Sequence, residues 1–93
     1  MLELEWGDEA QDDLISIVVY IAADNPLAAL DLKDEIEKKV EGLRKQPRMY
    51  KPGRVSGTRE LVVRDNYIVV YGEDGHTVSV LRVLHAARPW PQQ

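Results

Sequence analysis

Cysteine is absent, so neither a disulfide nor a thiolate metal site can brace this chain, and nothing implies an oxidising compartment. Histidine is scarce. With only His76 and His85, a metal centre would depend on carboxylates, and no ligand-spaced motif such as His-Glu-x-x-His occurs. We therefore expect no metal and no cofactor. Long apolar runs are missing as well. The longest spans residues 17–23, far short of the roughly 20 needed to cross a membrane. Met1 leads straight into Leu-Glu-Leu-Glu, without the basic and apolar regions of a signal peptide. The Gly53-x-x-x-Gly57 spacing does not make a phosphate cradle. No repeat or low-complexity segment appears, so the reading is one soluble, cytoplasmic domain over residues 1–93.

What is present is a split of charge. The net charge of −4 divides into 5 Lys/Arg against 12 Asp/Glu in residues 1–46, and 7 against 4 in residues 47–93. An anionic partner would be steered to the second half, unless the split reflects only an ordinary solvated surface. A chain of 93 residues buries only ~60–65% of its unfolded surface.

The first half reads as a strand and two helices. Leu2, Leu4 and Trp6 alternate with acids, which suits a half-buried strand. Gly7-Asp8 can start a helix, with Asp8 and Glu9 near its positive end. Residues 10–23 are rich in β-branched side chains, yet Ala10, Leu14, Ile17, Val18 and Ile21 fall at helical spacing. Ile15, Val19 and Ala22 lie off that stripe, which means either deep burial or a docking surface. Asn25-Pro26 is an N-cap followed by proline at N1. The next helix should run to about Lys45, with Ala29, Leu32, Ile36, Val40 and Leu43 on its core side. Asp34/Lys38, Glu35/Lys39 and Glu41/Lys45 are candidate i,i+4 pairs, worth ~0.2–0.5 kcal/mol each. So short a turn predicts an antiparallel helical hairpin.

After a basic loop at residues 48–56, the second half reads as three strands. Residues 59–64 and 67–71 are dense in β-branched and aromatic side chains, separated by Arg64-Asp65-Asn66. Tyr67 to Tyr71 is apolar on both faces and belongs in the middle of a sheet. Asp74-Gly75 signals a type I′ turn, with His76 exposed. Residues 77–84 form the last strand, and the prolines of His85-Ala-Ala-Arg88-Pro-Trp-Pro91 stop further pairing. The fold class is α+β: an N-terminal edge strand, an antiparallel helical hairpin and a three-stranded antiparallel meander.

Taken in order, these pieces resemble a known family. Trp6, Ala10, Asp13-Leu14, Ile17, Tyr20-Ile21-Ala22, Asn25-Pro26-Ala28, Arg59-Glu60-Leu61, Asn66 to Tyr71, Val80 to Arg88 and Trp90-Pro91 are similar to the ParE branch of the RelE/ParE toxin superfamily. These are toxins of bacterial type II toxin–antitoxin modules, including plasmid-stabilisation modules. The resemblance implies a toxin that inhibits DNA gyrase by binding, without turnover or direct nucleic-acid contact. It also implies a cognate antitoxin, whose disordered tail folds on binding to give a hetero-oligomer. The alternatives are a RelE-type, ribosome-dependent mRNA endoribonuclease and an inactive antitoxin-binding homologue.

Cleavage of RNA needs a base, cations around the phosphate and an acid for the leaving oxygen. The lysine positions of RelE-type nucleases fall here on Glu60 and Val62, and an arginine position on Ile68. Arg88 matches, and the C-terminal tyrosine would lie beyond Gln93. Catalytic residues are therefore assigned to none. Arg82 interrupts the period-two row Val78, Val80, Leu84 and needs a partner such as Glu60, unless that row faces outward and Arg82 anchors an acidic partner. Arg82, His85, Arg88 and Trp90 are the toxic-surface candidates, with Pro89 and Pro91 expected to hold Trp90 extended. His85 could instead tie strand to tail, and Trp90 could cap the core. Ile15, Val19, Ala22, Arg59 and Arg64 are the antitoxin-binding candidates.

Overall fold

Alternation decides the N-terminus. Leu4 and Trp6 pack toward the core from strand β1 (Glu3–Trp6), while Glu3 and Glu5 remain in solvent. The structure, a computed structural model, describes residues 1–91. Gly7 then turns the chain sharply. Its N–H donates to the Val80 carbonyl at 2.9 Å, and a Cβ there would meet the same oxygen at 3.0 Å. That close approach favours glycine.

Helix α1 (Asp8–Ala22) follows, with Asp8 and Glu9 in its first turn and no side-chain cap. Strand propensity loses here because Ala10 and Leu14 are buried and Ile17, Val18 and Ile21 pack on the core from the same side. Asn25 caps helix α2 (Pro26–Gly42), its Oδ1 accepting from the Ala28 N–H at 3.1 Å. Ala29, Leu32, Ile36 and Val40 form the expected stripe, and Leu43 is buried just past the helix end. The helix stops three residues before Lys45. There the Arg44 carbonyl accepts from Leu2 N at 2.9 Å, and Arg44 Nε donates to Leu2 O at 2.7 Å. Glu35, expected beside Lys39, instead accepts from Arg64 Nε at 2.7 Å, tying α2 to the sheet.

Strands β2 (Arg59–Val63), β3 (Tyr67–Glu73) and β4 (Thr77–His85) form the antiparallel meander. With β1 they make one sheet in the order β1-β4-β3-β2. The sheet is mixed, because β1 takes an edge place parallel to β4. Arg64 and Asp65 turn the first hairpin at φ 54° and 63°. At the second, the expected type I′ turn is not formed. Gly75 alone is left-handed there, at φ 92°, and Asp74 Oδ1 closes the turn by accepting from His76 N and Thr77 N, both at 2.9 Å. Those two N–H groups hold the Asp74 carboxyl below its usual pKa range. His76 is exposed, as expected.

One sheet face carries Leu61, Val63, Val69, Tyr71, Val80 and Val83 against the hairpin. Burying each such side chain contributes ~1.5–3 kcal/mol. Tyr71 is wholly buried, its hydroxyl donating to Pro47 O at 2.7 Å, and desolvation pushes its phenol up to about 12. No helix among the described residues is long and apolar enough to cross a membrane.

A bulge decides what β4 presents. Val70 pairs with Arg82 and Tyr71 with Val80, so Leu81 is the extra residue. Val78 and Val80 therefore share the helix-side face with Val83, while Arg82 and Leu84 point the other way. The shared face of Val78, Val80, Arg82 and Leu84 expected from simple alternation does not exist. Arg82 is not a charge in the core.

Candidate functional site

Strand β1 accompanies β4 only from Thr77 to Val80, leaving Leu81 to His85 without a strand on that side. Helix α1 closes part of the gap with one carboxylate. Asp13 Oδ2 accepts from Val83 N at 3.0 Å, an edge donor that a longer β1 would have satisfied. The same carboxylate takes Arg82 in a fork, Nε to Oδ2 at 2.7 Å and Nη2 to Oδ1 at 3.1 Å. Glu9 Oε2 adds a second negative charge 3.5 Å from Nη1. The Asp13 hydrogen bond raises the Arg82 pKa above its usual value. The partner of Arg82 is thus Asp13, not Glu60.

Glu60 lies on the outer sheet face, across Val70 from Arg82. It is buried and has its own cation: Oε2 accepts from Arg54 N at 2.9 Å, and Oε1 sits 3.7 Å from Arg54 Nε. Arg54 Nη1 also donates to the Trp90 carbonyl at 3.4 Å. Trp90 is not held off the fold. Its ring packs on a second apolar cluster, Ile68, Val70 and Leu84, with its centroid 5.6 Å from the Arg82 guanidinium carbon. Its buried Nε1 has no hydrogen-bond partner. Of the positions where RelE-type nucleases would carry cations, Glu60 is paired, Ile68 is buried and Val62 is exposed but apolar. The position of the terminal tyrosine lies outside the described residues.

The toxic-surface candidates are divided by the sheet. Arg82 and Trp90 share the outer face, whereas His85 lies on the opposite side of β4. It lines a notch of about 380 Å³ with Ser16, Ile17, Tyr20, Ile21 and Tyr67. His85 meets Tyr67 edge-on, with centroids 5.4 Å apart, and its Nδ1 accepts from Ala87 N at 3.2 Å. That contact joins strand to tail. Arg88 is exposed, and its backbone N–H donates to His85 O at 2.9 Å.

On the hairpin, deep burial is overturned for Ile15 and Val19, which are 60% and 63% exposed. Ala22 is half-buried. Tyr20, Leu27 and Leu30 of the same two helices are also exposed, which sequence reading missed. Arg59 and Arg64 lie elsewhere: Arg59 Nη1 donates to Tyr50 O at 2.6 Å, and Arg64 is committed to Glu35. Asp13 was missed as a site residue too. Its signal was present, because Ala10, Asp13 and Ile17 step by three and four, placing a carboxylate beside the apolar stripe.

Comparison with known proteins bears on this geometry. Residues 4–90 match the family model described as the ParE toxin of the type II toxin–antitoxin system parDE. A Sinorhizobium fredii protein named as a toxin, Y4kP, is 38% identical over 90 residues, covering 96% of this chain and 93% of that one. Toxin RelE2 of Caulobacter vibrioides is 32% identical over 90 residues, covering 95% and 99%. Among solved structures, the chromosomal ParDE system of P. aeruginosa superposes with TM-score 0.81 at 24% identity, over 91% of this chain and 96% of that one. The RelBE2 toxin–antitoxin complex of Mycobacterium tuberculosis gives 0.63 at 26% identity, over 90% and 96%.

Proposed function

The chain belongs to the ParE toxin family of type II toxin–antitoxin systems, and from that premise we propose that it acts by binding and blocking DNA gyrase. A cognate antitoxin neutralises it by folding a tail onto its surface. The work is done in the cytoplasm, by association alone.

The composition of the outer sheet face carries this reading. RNA cleavage there would require cations converging on a phosphate. The face instead presents Glu60 with Arg54, Arg82 bound to Asp13, and an apolar cluster under Trp90. A carboxylate at that position would repel the phosphate. What remains is a mixed surface of tryptophan and arginine, the residues most enriched at binding hot spots. Arg88 follows in the tail and is exposed. A second reading, ribosome-dependent mRNA cleavage, is favoured by the name of the Caulobacter relative, RelE2.

One paired assay separates them. Purified protein is added to gyrase supercoiling reactions and, in parallel, to ribosomes programmed with mRNA. Gyrase inhibition with intact mRNA is expected. Codon-specific cleavage with gyrase unaffected would replace the first reading by the second.

A further inference from the structure

Glu60 is a carboxylate around which a loop is shaped. It pairs with Val70 of β3, and Val70 pairs in turn with Arg82 of β4, so Glu60 and Arg82 flank the strand on which the Trp90 ring rests. The loop before β2 folds back over it. Glu60 N donates to Lys51 O at 3.3 Å, and Gly53 N to Thr58 O at 2.7 Å. A Cβ at Gly53 would collide with Thr58 Oγ1 and come within 3.3 Å of Glu60 Oε2, so glycine alone lets the backbone pass there. That approach brings Arg54 N to 2.9 Å from Glu60 Oε2 and leaves Arg54 Nε 3.7 Å from Oε1. One side of the Arg54 guanidinium is thereby fixed. Its Nη1 reaches the Trp90 carbonyl at 3.4 Å, 36 positions along the chain.

The tail needs such a hold. Pro89 and Pro91 have no N–H with which to pair as a strand. The Trp90 ring covers Ile68, Val70 and Leu84, but its buried Nε1 has no hydrogen-bond partner among the described residues, which opposes the burial. We propose that Arg54 is a positioning residue: anchored by Glu60, it holds the Trp90 carbonyl and keeps the ring seated beside Arg82, in the form that meets the target. The inference rests on the gyrase reading above, in which this face makes the contact. A guanidinium serves both partners at once because its nitrogens form a rigid fork, whereas a lysine ammonium is a single point of charge. Arg54 thus does more than neutralise a buried carboxylate. A tail ordered in advance does not have to be ordered when the target binds.

The test uses the full chain and the NMR signals of its two indole N–H groups, that of Trp90 assigned by its loss in Trp90→Phe. In wild type the buried Nε1 hydrogen should exchange slowly with solvent. Arg54→Ala and Arg54→Lys should both speed that exchange roughly tenfold, while the buried Val69 amide of β3 keeps its wild-type rate. Lysine keeps a cation beside Glu60, so a role in charge balance alone predicts wild-type exchange in Arg54→Lys. That result overturns the proposal, even where Arg54→Ala does not fold. Glu60→Gln should speed exchange by less, since its amide oxygen can still accept from Arg54 N; no change overturns the part given to Glu60. In supercoiling assays, Arg54→Lys should require roughly threefold to tenfold more protein for equal inhibition, the cost of ordering one side chain at binding. Faster exchange with undiminished inhibition overturns the seated tail as the contact form and leaves the gyrase reading intact. If wild type leaves supercoiling untouched while Arg54→Lys speeds exchange, the gyrase reading falls and the hold on Trp90 stands.

Discussion

Asp13 joins α1 to β4, and its removal is the most demanding test of the fold described above. Asp13→Ala deletes two hydrogen bonds to Arg82 and one to Val83 N. Breaking a fully buried ion pair costs ~3–5 kcal/mol. Here the side chains are 17% and 13% exposed for Arg82 and Asp13, and Arg82 retains Glu9 at 3.5 Å. Partial compensation lowers the expected loss to about 2–3 kcal/mol, with the stranded Val83 donor accounting for roughly 1 kcal/mol or more. In a domain of this size that corresponds to a fall in melting temperature of about 10–20 °C. Asp13→Asn can keep an oxygen for Val83 N and Arg82 Nε but loses the charge and the acceptor for Arg82 Nη2, so it should fall about halfway. Urea unfolding of wild type, both variants, Arg82→Ala and Asp13→Ala/Arg82→Ala completes a double-mutant cycle. The Asp13–Arg82 coupling should be about 1 kcal/mol or more. Asp13→Ala within ~0.5 kcal/mol of wild type, a value typical of unremarkable surface substitutions, would refute the argument.

Other substitutions probe separate links. Asn25→Ala removes the cap on α2 and should cost ~1 kcal/mol by urea midpoint. Gly7→Ala places a Cβ 3.0 Å from Val80 O and should destabilise by ~1–3 kcal/mol through overpacking; a neutral result would mean that β1 and β4 can separate freely there. Tyr71→Phe strands the Pro47 carbonyl and should cost ~1 kcal/mol at neutral pH. The Tyr71 phenol titrates near 12 when folded, against an ordinary 10.0. The unfolded chain thus loses that proton first, and wild type should lose stability as pH rises from about 10 to about 12. Tyr71→Phe should lack that component when the two pH profiles are subtracted. Trp90→Ala should cost only ~1–3 kcal/mol, the value of one partly covered side chain, while gyrase inhibition falls at least tenfold; full inhibition would remove Trp90 from the contact surface.

Much of the architecture could be read directly because it rests on local signals. Asn25-Pro26 marks the helix boundary, Leu32-Ile36-Val40 the buried stripe, and Tyr67–Tyr71 a strand apolar on both faces. The errors arose where distant residues decide. A single inserted residue, Leu81, reversed the expected facing of Arg82 relative to Val78 and Val80. Simple alternation cannot register such an insertion, because a bulge depends on the partner strand. Glu60 seemed a natural mate for Arg82, but Asp13 reaches it from another element and Arg54 takes Glu60. Exposure of Ile15 and Val19 was ambiguous for a related reason. A second apolar helix face looks the same in sequence whether another layer covers it or nothing in the chain does.

The pairing of β1 with β4 has a consequence for synthesis. Glu3 meets Thr77, and Asp13 meets Arg82 across 69 positions, so the oldest part of the chain must wait for nearly the newest. A nascent chain can form the helical hairpin from neighbouring residues, but β1 has no strand to join until residues 77–80 are available. Contacts this distant slow folding, because a long loop must close before they return any stability. There is thus an interval in which the hairpin is already present and the finished sheet is not. Chains released at residue 76 would lack β4 entirely and should be cleared as unfolded protein, with no growth arrest in cells that carry no antitoxin.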